Sequence, residues 1–160
     1  DVDGAAASRG APDPGALREL RAILDHQRWA DRSLGTKDEA RQWATTWKPR
    51  IASADLARTA CEAIGAVIAE AIVDAGVHST LIAGGGVHNA ALMDAITFGA
   101  GERVRISTTA EFGVPTAYRE AVCMAVLGAL CQDGIPITLP SVTGRRAGHI
   151  VSGAWVDGPP

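Results

Sequence analysis

The sequence predicts an α/β chain, rich in helix, with a short parallel sheet. Three observations carry this reading. The order of periodic segments is helix, strand, helix, strand, helix, and two βα crossovers require parallel strands with helices on the faces. Apolar residues make up 47% of the 160, but aromatics only 4%, which favours close-packed helices over an all-β sandwich. The third observation is the segment Thr80-Leu81-Ile82-Ala83-Gly84-Gly85-Gly86-Val87-His88-Asn89, a short apolar strand, three glycines and then a helix-forming run.

In chain order, Asp1-Val2-Asp3-Gly4 reads as a turn, and so abrupt a start looks like a cut from something longer. A single D-x-D without further carboxylates is usually a turn and not a metal site. A loop rich in Gly and Pro leads to a helix over 15–25, opened by Asp13-Pro14, with Leu17, Leu20, Ile23 and Leu24 on one face. Trp29, Trp43 and Trp47 follow among many charges. Residues 32–36 read as a loop and 38–47 as a short helix, which Pro49 ends. Ser53 is placed to cap the longest helix, 54–75, with Gly76 closing it. Leu56, Ala60, Ile64, Val67, Ala71 and Ile72 form its apolar stripe. A helix over 89–98, a strand over 103–107 and a loop over 108–113 come after the glycines. Pro115 opens a helix to about 132, followed by a proline-rich loop over 135–140. Residues 149–155 read as a last strand or an extended tail.

Ligands of parallel α/β sheets bind beyond the C-terminal ends of the strands. Both special loops, 84–89 and 108–115, fall there. Glycine removes the Cβ that would keep a ligand from the backbone, and free N–H groups of a first helical turn favour an anion. The pattern is neither G-x-G-x-x-G, because Asn89 stands where the third glycine belongs, nor a P-loop, because no Lys-Ser or Lys-Thr follows. Asn89 is a good helix cap as well as a candidate ligand. His88 reads either as a nucleotide contact or as a surface turn residue.

A net charge of −3 with scattered arginines gives no electrostatic reason to expect nucleic acid. No uninterrupted apolar run reaches a membrane-spanning length, and the acidic N-terminus has no signal peptide. Cys61, Cys123 and Cys131 lack CxxC spacing and read as buried thiols of a cytoplasmic protein. No G-x-S-x-G elbow and no histidine pair at metal spacing supports a hydrolase or a zinc enzyme.

Several segments together resemble one family. Ala83-Gly84-Gly85-Gly86-Val87-His88-Asn89 with Leu92-Met93 is similar to the A-G-G-G-x-H-N-x-x-L-M signature of anhydro-N-acetylmuramic acid kinases. Gly113-Val114-Pro115 with Glu120-Ala121 resembles their G-I-P-x-x-x-x-E-A element, and Leu139-Pro140-Ser141-Val142-Thr143-Gly144 their L-P-x-V-T-G element. Asp1-x-Asp3-Gly4 with Gly10, and Arg32-Ser33-Leu34-Gly35, resemble D-x-D-G-x-x-A-x-x-G and K-S-x-G. The match runs through nearly the whole chain in the right order.

The resemblance implies a partial ribonuclease-H-like lobe of the sugar kinase–actin superfamily. Residues 1–52 would be a family insertion, 53–134 the α-β-α-β-α core and 135–160 the C-terminal loop and tail. The implied protein transfers the γ-phosphate of ATP, with Mg2+, to 1,6-anhydro-N-acetylmuramic acid while water opens the anhydro bridge. The product is N-acetylmuramic acid 6-phosphate, in cell-wall recycling. Gly84, Gly85, Gly86, His88 and Asn89 would meet the nucleotide, and Glu120 the sugar.

The family's phosphate loop, its D-T-G-P-G-N element and its general base are absent from these residues. They read as the C-terminal part of the second lobe, inactive alone, whose partner is the missing N-terminal lobe. The unpaired strand edge predicts self-association, a homodimer included. Arg32, Lys37, Thr116 and Ala117 depart from the family pattern. The alternative reading is a degenerate nucleotide-binding or interaction lobe without catalysis.

Overall fold

The structure, a computed structural model, describes residues 2–29 and 39–138. The chain divides after Thr116 into two units, residues 1–116 and 117–160. The readings for residues 32–36, 139–144 and 149–155 lie outside the described residues.

In the first unit, α1 (Pro14–Trp29) starts where Asp13-Pro14 predicts. The Asp13 carboxylate accepts from the N–H groups of Gly15 and Ala16 at 2.9 and 2.8 Å, and Pro14 takes the first helical position, where no N–H is needed. The helix runs four residues beyond the expected end. Its later turns are tied to α3 (Ser53–Asp74) by Arg21 to Glu70 at 2.8 Å and Arg28 to Asp74 at 2.5 Å. With α2 (Glu39–Trp47), these helices close a core on Ala16, Leu20, Trp43 and Ala63. Trp43 is 4% exposed, and its indole Nε1 donates to the Ala16 carbonyl at 3.0 Å. A buried indole N–H needs such a partner.

Two expectations for α3 need correction. Ser53 does not cap it: Ala52 stands in the cap position, with no side-chain bond. The start is instead held by the chain before α1, where the Ala11 N–H donates to the Asp55 carboxylate at 2.8 Å. The buried face also differs from the expected stripe. Leu56 and Ala60 pack toward α1 and α2, but Ile64 and Ala71 are exposed. The buried residues are Thr59, Cys61, Ala63, Gly65 and Ala69. The reason is that α3 is covered on two sides, and on one of them another helix comes too close for large side chains. That helix is α4 (Ala90–Ala100). A Cβ on Gly65 would lie 2.5 Å from Ala95 Cβ, and one on Gly99 would lie 2.7 Å from Ala69 Cβ. Gly76 ends α3 as expected, at φ +65°.

β1 (Ser79–Ile82) and β2 (Arg105–Thr108) pair in parallel, Ser79 opposite Arg105 and Ile82 opposite Thr108, with α4 as the crossover between them. This is the predicted βαβ unit, part of an α/β lobe. In the second unit, α5 (Arg119–Gln132) begins four residues after Pro115, because residues 116–118 form a 3-10 turn first. Cys61 is buried as expected, whereas Cys123 is exposed and Cys131 half-buried. Among the described residues, no helix is long and apolar enough to cross a membrane.

Candidate functional site

The glycine segment leaves β1 at its C-terminal end. Gly84 has φ +94° and ψ −180°, a conformation that only glycine adopts without strain. The chain then forms a 3-10 turn over Gly85–His88, where a direct entry into helix was expected. The Gly84 N–H donates to the Thr116 carbonyl at 3.3 Å, so the loops that follow β1 and β2 meet as the topology predicts. Gly85, Gly86 and His88 are exposed. A Cβ on Gly84 or Gly85 would meet nothing within 4 Å, and one on Gly86 only Leu92 Cδ2 at 3.5 Å. Among the described residues, no side chain stands over the Cα edge of Gly84 or Gly85.

The first turn of α4 is not the open anion site that the sequence suggested. Asn89 is its cap, and its Oδ1 accepts from the Leu92 N–H at 3.1 Å. The Asn89 carbonyl accepts from Met93 at 3.0 Å, and the Asp3 carbonyl from Ala90 at 3.4 Å. The N–H groups of Ala90, Leu92 and Met93 are thus taken up within the protein. The other end of the Asn89 amide, Nδ2, lies 3.5 Å from Cys61 Sγ. Burial pushes the Cys61 thiol up, the Asn89 contact opposing it. Asn89 therefore acts as a cap facing inward, and Gly84, Gly85, Gly86 and His88 form the outward face. Residues 84–89 carry no lysine or arginine, so the turn itself supplies no charge clamp for phosphate.

The loop after β2 is built on Thr108-x-x-Glu111, a capping-box spacing present in the sequence where a plain loop is expected. The Glu111 carboxylate accepts from the Thr108 N–H at 2.7 Å, and Gly113 closes the turn at φ +83°. That backbone bond, foremost, holds the Glu111 carboxyl below its ordinary value, with Ser107, the Thr108 hydroxyl and Arg105 adding to it and desolvation opposing. A depressed folded pKa means the bond's contribution is full above the unfolded glutamate pKa and is lost as pH falls through the folded one. The Thr108 amide resonance is expected to titrate at a pH below the ordinary glutamate range. A midpoint at the ordinary value would show that the bond is not formed.

Glu120 belongs to the second unit. It is the second residue of α5, its side chain 84% exposed and 3.4 Å from Arg119. Among the described residues, no three His, Cys, Asp or Glu side chains converge on a point where a metal ion could sit.

The model of the family described as anhydro-N-acetylmuramic acid kinase matches residues 1–156. The chain is 31% identical over 160 residues to an anhydro-N-acetylmuramic acid kinase of Pseudomonas syringae pv. tomato, covering 97% of this chain and 44% of that protein. It is 30% identical over 154 residues to one of Streptomyces coelicolor, 94% of this chain and 39% of the relative. With one of Salinibacter ruber the identity is 28% over 169 residues, 99% of this chain and 42% of the relative. The chain thus spans less than half the length of these curated relatives.

Proposed function

The chain belongs to the anhydro-N-acetylmuramic acid kinase family, and on that premise we propose that it forms the adenosine-side wall of an ATP-dependent sugar kinase. The whole protein would convert 1,6-anhydro-N-acetylmuramic acid to N-acetylmuramic acid 6-phosphate in the cytoplasm, in cell-wall recycling. Gly84, Gly85 and Gly86 would lie against the nucleoside with His88 beside it, and Glu120 would touch the sugar. Phosphoryl transfer is mostly positioning and electrostatic stabilisation. The share of that work proposed here is positioning. Mg2+ would accompany ATP through its phosphates and one or two carboxylates, supplied by the rest of the whole protein. The covered shares of the relatives do not support the expectation that this is their C-terminal portion, which rests on the motif order alone.

The observation that supports the reading most is Gly85. Its φ is not positive, and a Cβ there would meet nothing within 4 Å. Neither backbone strain nor packing among the described residues demands glycine, whereas a ligand resting on the peptide edge would. The test is ATP-dependent phosphorylation of the anhydro sugar by the full-length protein beside a Gly85→Val variant. A side chain standing on the turn displaces the nucleotide by an ångström or more, so kcat/KM for ATP is expected to fall on the order of 10²-fold. Equal turnover by both proteins would move the nucleotide away from this turn. ATP binding with no turnover in the folded wild type would leave a binding lobe without catalysis.

A further inference from the structure

The D-x-D-G segment finds no part in the function proposed above, yet it touches the one residue on which the glycine turn ends. Asp3 and Gly4 both have positive φ, +53° and +75°, and the turn they make lies directly on Asn89. A Cβ on Gly4 would overlap Asn89 Oδ1, lie 2.9 Å from its Cγ and 3.2 Å from the Ala90 nitrogen. The Asp3 carbonyl accepts from the Ala90 N–H, 3.4 Å away. Cys61 of α3 also meets this amide, its Sγ 3.5 Å from Asn89 Nδ2 and 3.7 Å from Oδ1. Cys61 and Ala91 are buried together with Ala7, which belongs to the short turn following Gly4. Asn89 in turn donates its own N–H to the Gly86 carbonyl at 3.1 Å. Any displacement of Asn89 is passed to Gly86 and so to the exposed peptide edge.

We propose that Gly4 and Cys61 are positioning residues for the nucleotide: both pack against the Asn89 side chain and thereby fix the backbone of the glycine turn. The proposal rests on the nucleotide reading above. Neither residue touches the ligand. Their effect is to add to the backbone bonds of Gly84 to Thr116 and of Asn89 to Gly86 in holding the turn.

The test uses the full-length protein and two variants with different risks to folding. Gly4→Ala places a methyl group against Asn89 and adds backbone strain at a positive φ. Cys61→Ala removes only the Sγ contact and keeps a small apolar residue in the core. Steady-state kinetics are run with ATP and the anhydro sugar varied in turn, beside Gly85→Val. A displaced turn is expected to raise KM for ATP about tenfold in Gly4→Ala and about threefold in Cys61→Ala. KM for the sugar should stay within about twofold in both, since the effect is confined to the nucleotide side. That split separates positioning from a general loosening, which would weaken both substrates alike. Equal losses for both substrates, or an unchanged KM for ATP in folded Cys61→Ala, overturn the proposal. If Gly85→Val weakens ATP and the two variants do not, the positioning role alone falls. If Gly85→Val also leaves ATP unaffected, the nucleotide reading falls and the proposal with it.

Discussion

Gly65→Leu is expected to destabilise the protein by about 3 kcal/mol or more, at the upper end of what overpacking costs. Glycine in a helix interior is itself unfavourable, by about 1 kcal/mol relative to alanine. On propensity alone a larger residue would therefore help. The contacts decide otherwise. A Cβ at this position would lie 2.5 Å from Ala95 Cβ and 3.2 Å from both Ala95 C and Ile96 N, two backbone atoms of α4. Backbone cannot swing away as a side chain does, so α4 as a whole must move. Since α4 is the crossover helix behind the glycine turn, the loss of stability should be accompanied by weaker ATP binding. Denaturant unfolding of the purified variant measures the first effect. A variant as stable as the wild type would mean that α3 and α4 are not packed through Gly65.

Trp43→Ala is expected to cost about 3–5 kcal/mol, the range for removing a large buried aromatic. Trp43 is 4% exposed and joins α2 to α1 and α3. The substitution leaves a cavity, and it also leaves the Ala16 carbonyl without the indole N–H that lies 3.0 Å away. Natural proteins have only about 5–15 kcal/mol of stability in total, so the variant should unfold at a much lower denaturant concentration. This core involves neither the sheet nor the glycine turn. In whatever fraction stays folded, affinity for ATP should therefore be retained, the opposite of the Gly65 result. A loss below about 1 kcal/mol, the size of a surface change, would show that α2 is not docked on α1 and α3.

The sequence by itself determined the βαβ unit, because periodicity and glycine placement are local signals. β1, α4 and β2 stand within a residue or two of their expected bounds, and Gly76 ends α3 where chain order alone placed it. Asp13, Asn89 and the bare glycines at the sheet's C-terminal end were legible for the same reason.

What the tertiary structure decided is which groups remain free. An amphipathic stripe assumes one buried face, but α3 lies between two neighbours and buries small residues that no hydropathy pattern singles out. The first turn of α4 looked open to an anion, but Asn89 and the distant Asp3 carbonyl take up the N–H groups of Ala90, Leu92 and Met93. Gly4 looked like an ordinary turn glycine, and only its contact with a residue 85 positions later gives it a role. Each of these depends on contacts between segments far apart in the chain, which the order of residues does not specify.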